Sequence, residues 1–138
     1  MRFETVHTCL SIRRGDLDSA GHVNHARALE YFEQGRWEWL QRHRLKQCTR
    51  VVPVVSRVEI DYRKELFCGR LRIETERVHD DAIYKAMFDQ RIYAGDATEP
   101  SITASVHVAF IDVNGRQLCT VDDFLCAAVE PLQTLAER

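Results

Sequence analysis

The chain has 138 residues, 45% of them apolar, with 19 basic against 21 acidic side chains and a formal charge of −2. That is enough for one domain, residues 1–138, with a real core and no need of disulfide or metal staples. The charges are spread along the chain, so it carries no footprint for nucleic acid or an anionic membrane, and no run approaches the ~20 apolar residues of a membrane span.

Five cysteines (Cys9, Cys48, Cys68, Cys119, Cys126) form no C-x-x-C pair, which speaks against a disulfide framework or a cysteine-rich zinc site. The N-terminal MRFETVHTCLSIRR alternates, where a signal peptide needs a charged start and an apolar run. A soluble cytoplasmic protein is the expectation.

In chain order, residues 6–12 place Val6, Thr8, Leu10 and Ile12 on one face of a half-buried strand. Residues 24 to about 44 contain no proline and repeat Ala28, Leu29, Phe32, Trp39 and Leu40 at helical spacing, which predicts one helix of roughly 30 Å. Gly35 inside it costs about 1 kcal/mol against alanine, so a close approach to a sheet is the expected compensation. The basic QRHRLKQ that follows (residues 41–47) is a candidate anion patch or, more simply, a helix end where cations suit the dipole. A second strand is predicted over 54–62, with Val54, Ser56, Val58, Ile60 and Tyr62 on one face. Further strands carry Leu71, Ile73 and Thr75 after Gly69, then Tyr84, Ala86, Phe88 and Ile92, then Ile102, Ala104, Val106, Val108 and Phe110. Asn114-Gly115 predicts a type I′ hairpin with positive φ at both positions, leading into a short strand RQLCTV. The final VEPLQTLAER reads as a turn of helix or a tail. The fold class is therefore α+β: five to six antiparallel strands curling round one long central helix. The uncharged SITASVHVAF is either an edge strand that needs a partner or a buried central strand.

The segment GDLDSAGHVNHARALEYFEQ (residues 15–34) carries the chemistry. D-x-D-x-x-G matches part of a calcium loop, but that motif's bidentate position falls on Arg27, a cation. His22 and His25 have no third zinc ligand nearby, since His7, His79 and His107 lie far off on or beside strands. Asn24 is the better cap for the helix, with Ser19 able to serve if a first turn starts earlier. Asp16 is expected to fix the loop. Asp18 is left over in a loop that must double back toward the helix start. A carboxylate facing a helix N-terminus pairs a base or nucleophile with N–H groups that hold an oxyanion, an arrangement suited to acyl transfer or hydrolysis. There is no G-x-S-x-G elbow to support a serine hydrolase.

The run D-x-D-x-x-G-H-V-N followed by LEYFEQGRWEWL resembles the acyl-CoA thioesterases of the hotdog superfamily, in particular the 4-hydroxybenzoyl-CoA thioesterase branch. The resemblance covers nearly the whole chain and implies the hotdog fold and hydrolysis of an acyl-CoA to free acid and CoA. It implies that Asp18 is the catalytic carboxylate, as general base or nucleophile, and that the backbone N–H of His25 polarises the thioester carbonyl. His22 and Asn24 would orient the loop or water, or simply bond the backbone. Tyr31, Phe32, Tyr62 and Phe67 would line or support the acyl pocket. No metal and no cofactor is implied beyond the coenzyme A of the substrate. A homodimer joined edge to edge, often doubled to a homotetramer, is implied, with sites at the subunit boundary.

Some positions depart from the pattern. Relatives with Asn-Tyr inside the helix are matched here by Arg27-Ala28, GHVN leans toward the acyl-carrier-protein thioesterases, which have a second Asn at His25, and the frequent Gly-Asp turn is Gly69-Arg70. Acyl group and carrier stay open. A hotdog dehydratase or hydratase and a non-catalytic acyl-thioester binding protein are the alternatives.

Overall fold

The computed structural model describes residues 3–46 and 49–128; Gln47, Cys48 and the closing VEPLQTLAER lie outside them. Its elements are β1 (Val6–Ile12), a 3-10 turn (Arg14–Asp16), α1 (His25–Arg42), β2 (Val51–Tyr62), β3 (Gly69–Val78), β4 (Lys85–Ala94), β5 (Ile102–Asp112), β6 (Gln117–Cys119) and α2 (Val121–Ala128). The strands form one antiparallel sheet in the order β1-β3-β4-β5-β2, with β6 also on β5. The long helix α1 packs on β1 and β3, as the α+β hotdog expectation requires.

Helix α1 buries Ala28, Tyr31, Phe32, Gly35 and Trp39. Leu29, expected in this stripe, is 46% exposed, because it lies about 100° round the helix from Ala28. Gly35 does what its position demanded. A Cβ there would stand 2.8 Å from both Ile73 Cγ2 and Thr75 Oγ1, and 3.0 Å from Gln90 Nε2. The helix backbone thus rests directly on β3 and β4. Buried Gln90 takes the slot between Phe88 and Ile92; its Nε2 donates to Phe32 O and Thr75 Oγ1, each at 2.9 Å, and Arg36 donates to its Oε1 at 2.9 Å.

The C-terminal end of α1 shows what QRHRLKQ does. Arg44 takes a left-handed φ of 57°, and Leu45 N donates to Leu40 O and Arg44 N to Gln41 O, a Schellman stop. The described part of the basic run ends the helix.

Strand β5 carries the uncharged SITASVHVAF run and is central, between β4 and β2, which resolves that ambiguity. Its inward residues from Ile102 to Phe110 are all buried. Strand β2 starts earlier than expected, and its face assignment needs correction. A bulge at Ser56 shifts the register between Val55 and Arg57, so Pro53 and Val55 share the inward face with Val58, Ile60 and Tyr62, while Val54 points outward. One inserted residue changes the phase of everything before it. Tyr84 precedes β4 and is exposed.

The Asn114-Gly115 turn is also different. Neither residue has positive φ; Asp112 pairs with Gln117 across a four-residue loop in which Arg116 is left-handed, φ 50°. Asp112 Oδ1 accepts from Asn114 N and Gly115 N at 2.9 and 3.2 Å, and this side-chain turn favours the longer loop. The expected strand RQLCTV stops at Cys119, because Thr120 opens α2. Asp123 N donates to Thr120 Oγ1 and Thr120 N to Asp123 Oδ2, a reciprocal cap that T-V-D-D spells out in the sequence. No described helix is long and apolar enough to cross a membrane.

Candidate active site

The loop between the 3-10 turn and α1 folds back on itself. Leu17 and Val23 form an isolated antiparallel bridge, Asp18 N donates to His22 O at 2.7 Å, and Gly21, at φ 83°, donates to Asp18 O. Val23 N bonds Leu66 O and so ties the loop to the segment after β2. Asn24 caps α1, its Oδ1 accepting from Ala26 N at 2.9 Å. Asn24 O accepts from Arg27 N. The first helical N–H, that of His25, has no acceptor among the described residues. It is the donor left at the positive end of the helix.

Asp18 lines the same cleft as His25. Its Oδ1 accepts from Ala20 N at 2.9 Å and His22 N at 3.1 Å, which leaves Oδ2 without a hydrogen bond among the described residues. The His22 N–H above all, then that of Ala20 and the neighbouring His22 and His25 side chains, hold this carboxyl below the usual carboxylate range. Asp18 is ionised at neutral pH, with one oxygen fixed and one free.

Asp16 has another task. It is buried, and its Oδ2 accepts from Tyr31 OH at 2.6 Å and Arg13 N at 3.2 Å, while Arg27 Nε stands 3.7 Å from Oδ1. The Tyr31 bond is the main reason its carboxyl is shifted down. Its backbone O accepts from Asn24 N at 2.8 Å, so Asp16 fastens the loop to α1 at both side chain and backbone.

Asp18, His22 and His25 line one cleft with Val23, Tyr62 and Leu66. Arg63, Lys64 and Glu65 lie on its rim. His25 stacks edge-on against Tyr62, with ring centroids 4.8 Å apart, and Tyr62 OH donates to His25 O at 2.9 Å. His22 Nε2 lies 3.3 Å from Glu65 Oε2, and its ring meets the edge of Phe67 at 4.9 Å. Of the four aromatic residues expected near an acyl group, Tyr62 lines the cleft and Phe67 supports His22, whereas Tyr31 and Phe32 are buried, Tyr31 with its OH on Asp16. Glu65, Lys64 and Arg63 are residues sequence reasoning missed. Their signal was weak: RKELF follows a strand, and nothing in it says that the strand ends beside a helix start more than thirty residues earlier in the chain.

Known structures share this architecture. "Crystal Structure of Probable Thioesterase from Bartonella henselae" superposes with a TM-score of 0.73 at 25% identity, covering 85% of this chain and 97% of that one. A 1,4-dihydroxy-2-naphthoyl-CoA thioesterase from Synechocystis gives a TM-score of 0.77 at 17% identity, covering 93% and 100%. A protein described as a probable thioesterase from Escherichia coli gives 0.70 at 22% identity, covering 90% and 98%. No curated protein matches the chain by sequence. The model of the thioesterase-like superfamily matches residues 12–129, from the end of β1 to just past α2. With the match spanning the Asp18 loop, α1 and the sheet that carries them, the chain belongs to the thioesterase-like superfamily and has the hotdog fold.

Proposed function

We propose that this protein hydrolyses an acyl-CoA thioester to free acid and CoA, with Asp18 and the His25 N–H as the reacting groups. The observation that carries this reading is the pairing of an ionised carboxylate, half free, with an uncapped helix N–H in the same cleft. The thioester oxygen takes the His25 N–H, and charge that develops on it in the tetrahedral intermediate is met by the positive end of α1. Asp18 takes a proton from water as the water oxygen adds to the carbonyl carbon, then returns the proton to the sulfur as the C–S bond breaks. If Asp18 attacks the carbonyl carbon directly, the C–S bond breaks, CoA leaves as the thiolate and a mixed anhydride forms; water then hydrolyses the anhydride, freeing the acid and a proton and restoring the Asp18 carboxylate. His22 and Asn24 act as positioning residues: His22 through the N–H that holds Asp18, Asn24 as the cap that leaves the His25 N–H as the open donor. Arg63 and Lys64 on the rim suit the phosphates of coenzyme A.

We also read the active unit as a homodimer or homotetramer. β2 is an outer strand of twelve residues, Val54 is exposed on its outward face, and its last residue, Tyr62, lines the cleft. Light scattering then gives a multiple of 16.0 kDa. A monomer would refute it.

The test of the activity is CoA-thiol release from acetyl, hexanoyl, palmitoyl and 4-hydroxybenzoyl thioesters, with wild type and Asp18→Asn side by side. A fall of about 10²–10⁴ in the folded variant is expected. Binding without release by wild type points instead to a binding protein or a carrier-protein substrate.

A further inference from the structure

Away from the Asp18 cleft, the described residues surround a second cavity of about 150 Å³. It lies between the C-terminal half of α1, α2 and the strands β2, β3, β4 and β5, and Trp37, Trp39, Val55, Phe88, Phe110 and Phe124 line it. A cavity of this size with apolar walls favours an apolar group over water.

Two rows of side chains connect the cleft to this cavity. Along β2 the inward row runs Tyr62, Ile60, Val58, Val55, Pro53, each opposite a buried residue of β5. Tyr62 lines the cleft; Val55 and Pro53 line the cavity. On α1, His25, Leu29, Glu33 and Trp37 follow at a spacing of four, which stacks them on one helix face. His25 lines the cleft, and Glu33 and Trp37 line the cavity. Leu29, Trp37, Val55 and Tyr62 are all exposed, so apolar side chains on both rows stand accessible at the cleft, at the cavity and on α1 between them.

From His25 the track reaches the level of Glu33 after about 12 Å and that of Trp37 after about 18 Å, at a helical rise of 1.5 Å per residue. An extended alkyl chain advances about 1.25 Å per carbon, from tetrahedral C–C geometry. The cavity is therefore met at roughly ten carbons from the carbonyl and traversed at roughly fourteen.

We propose that the cavity beneath α2 receives the distal end of a long acyl chain whose thioester lies at Asp18 and His25, making long-chain acyl thioesters the preferred substrates. The assignment rests on the thioester-hydrolase reading above. Each methylene that enters adds about fourfold to kcat/KM.

Two measurements test it separately. The first is CoA release across saturated acyl-CoAs from butanoyl to hexadecanoyl, with kcat/KM expected to climb beyond about ten carbons. In the second, hexadecanoic acid brominated at its far end is added and tryptophan emission is followed. Both tryptophans of the chain, Trp37 and Trp39, line the cavity, so bromine seated there quenches them. Leu125→Trp, which adds bulk from α2, should lower the ratio of hexadecanoyl to butanoyl kcat/KM by about tenfold or more. Turnover with a flat chain-length profile and no quenching overturns the cavity assignment and leaves the hydrolase reading intact. Quenching without CoA release from any thioester supports the cavity and removes the hydrolase. Quenching that appears only after deletion of residues 129–138 would give the cavity to the chain's own end and overturn the proposal.

Discussion

Replacing Gly35 by alanine tests how the helix is seated, and its cost can be worked from the contacts. In an open helix interior the change stabilises by about 1 kcal/mol. Here the added carbon would sit 2.8 Å from Ile73 Cγ2 and Thr75 Oγ1, and 3.0 Å from Gln90 Nε2, so all three neighbours must yield. Ile73, Thr75 and Gln90 are each 0% exposed, which leaves them little room to do so. Overpacking of this kind costs about 1–3 kcal/mol. Gln90 Nε2 donates to Thr75 Oγ1 and Phe32 O, and displacing it from one acceptor leaves a buried polar group unpaired, for about 1–3 kcal/mol more. The net is a destabilisation of about 3 kcal/mol, or a fall of roughly 10 °C in Tm for a chain of this size. Thermal and urea unfolding of Gly35→Ala and wild type at one protein concentration would measure it. A variant as stable as wild type, or more so, would refute the argument that α1 rests on β3 through this glycine.

The remaining predictions concern the loop and its acids. Because the His22 and Ala20 N–H groups hold the Asp18 carboxyl below its ordinary 3.8, the acid limb of kcat/KM should fall below that pH, and a limb centred above pH 5 would contradict the assignment. Tyr31→Phe removes the donor to buried Asp16 Oδ2 and should cost about 1–3 kcal/mol in urea unfolding at neutral pH. Asp16 is shifted down in the folded state, so its contribution is present above the unfolded value of 3.8 and lost as pH falls through the lower folded value. The gap between wild type and Tyr31→Phe should therefore narrow in acid, and a pH-independent gap would count against it. Asn24→Ala loses the bond to Ala26 N and should cost about 1 kcal/mol in stability, with kcat reduced as the N-terminus of α1 frays; an unchanged Tm would show that the cap is not needed.

The sequence determined the elements and the motif because both are local. Alternation and helical periodicity are short-range patterns that state which face of a segment is buried, and they placed β1, β3, β5 and most of α1. Asn24 as cap, Gly35 as a contact point and Asp18 as the spare carboxylate could be read from spacing within one loop and one helix. Tertiary structure decided what depends on register or on distant partners. The Ser56 bulge changed which residues of β2 face inward, because a single inserted residue inverts the phase and leaves no compositional trace. Asp112 turned the Asn114-Gly115 hairpin into a longer loop by accepting its amides. The cleft itself joins His25 to Tyr62 and His22 to Glu65, across loop closures of tens of residues that only the packing of α1 against the sheet brings together. The apolar cavity is the extreme case: its walls come from α1, α2 and four strands, and no single segment carries the pattern that makes it.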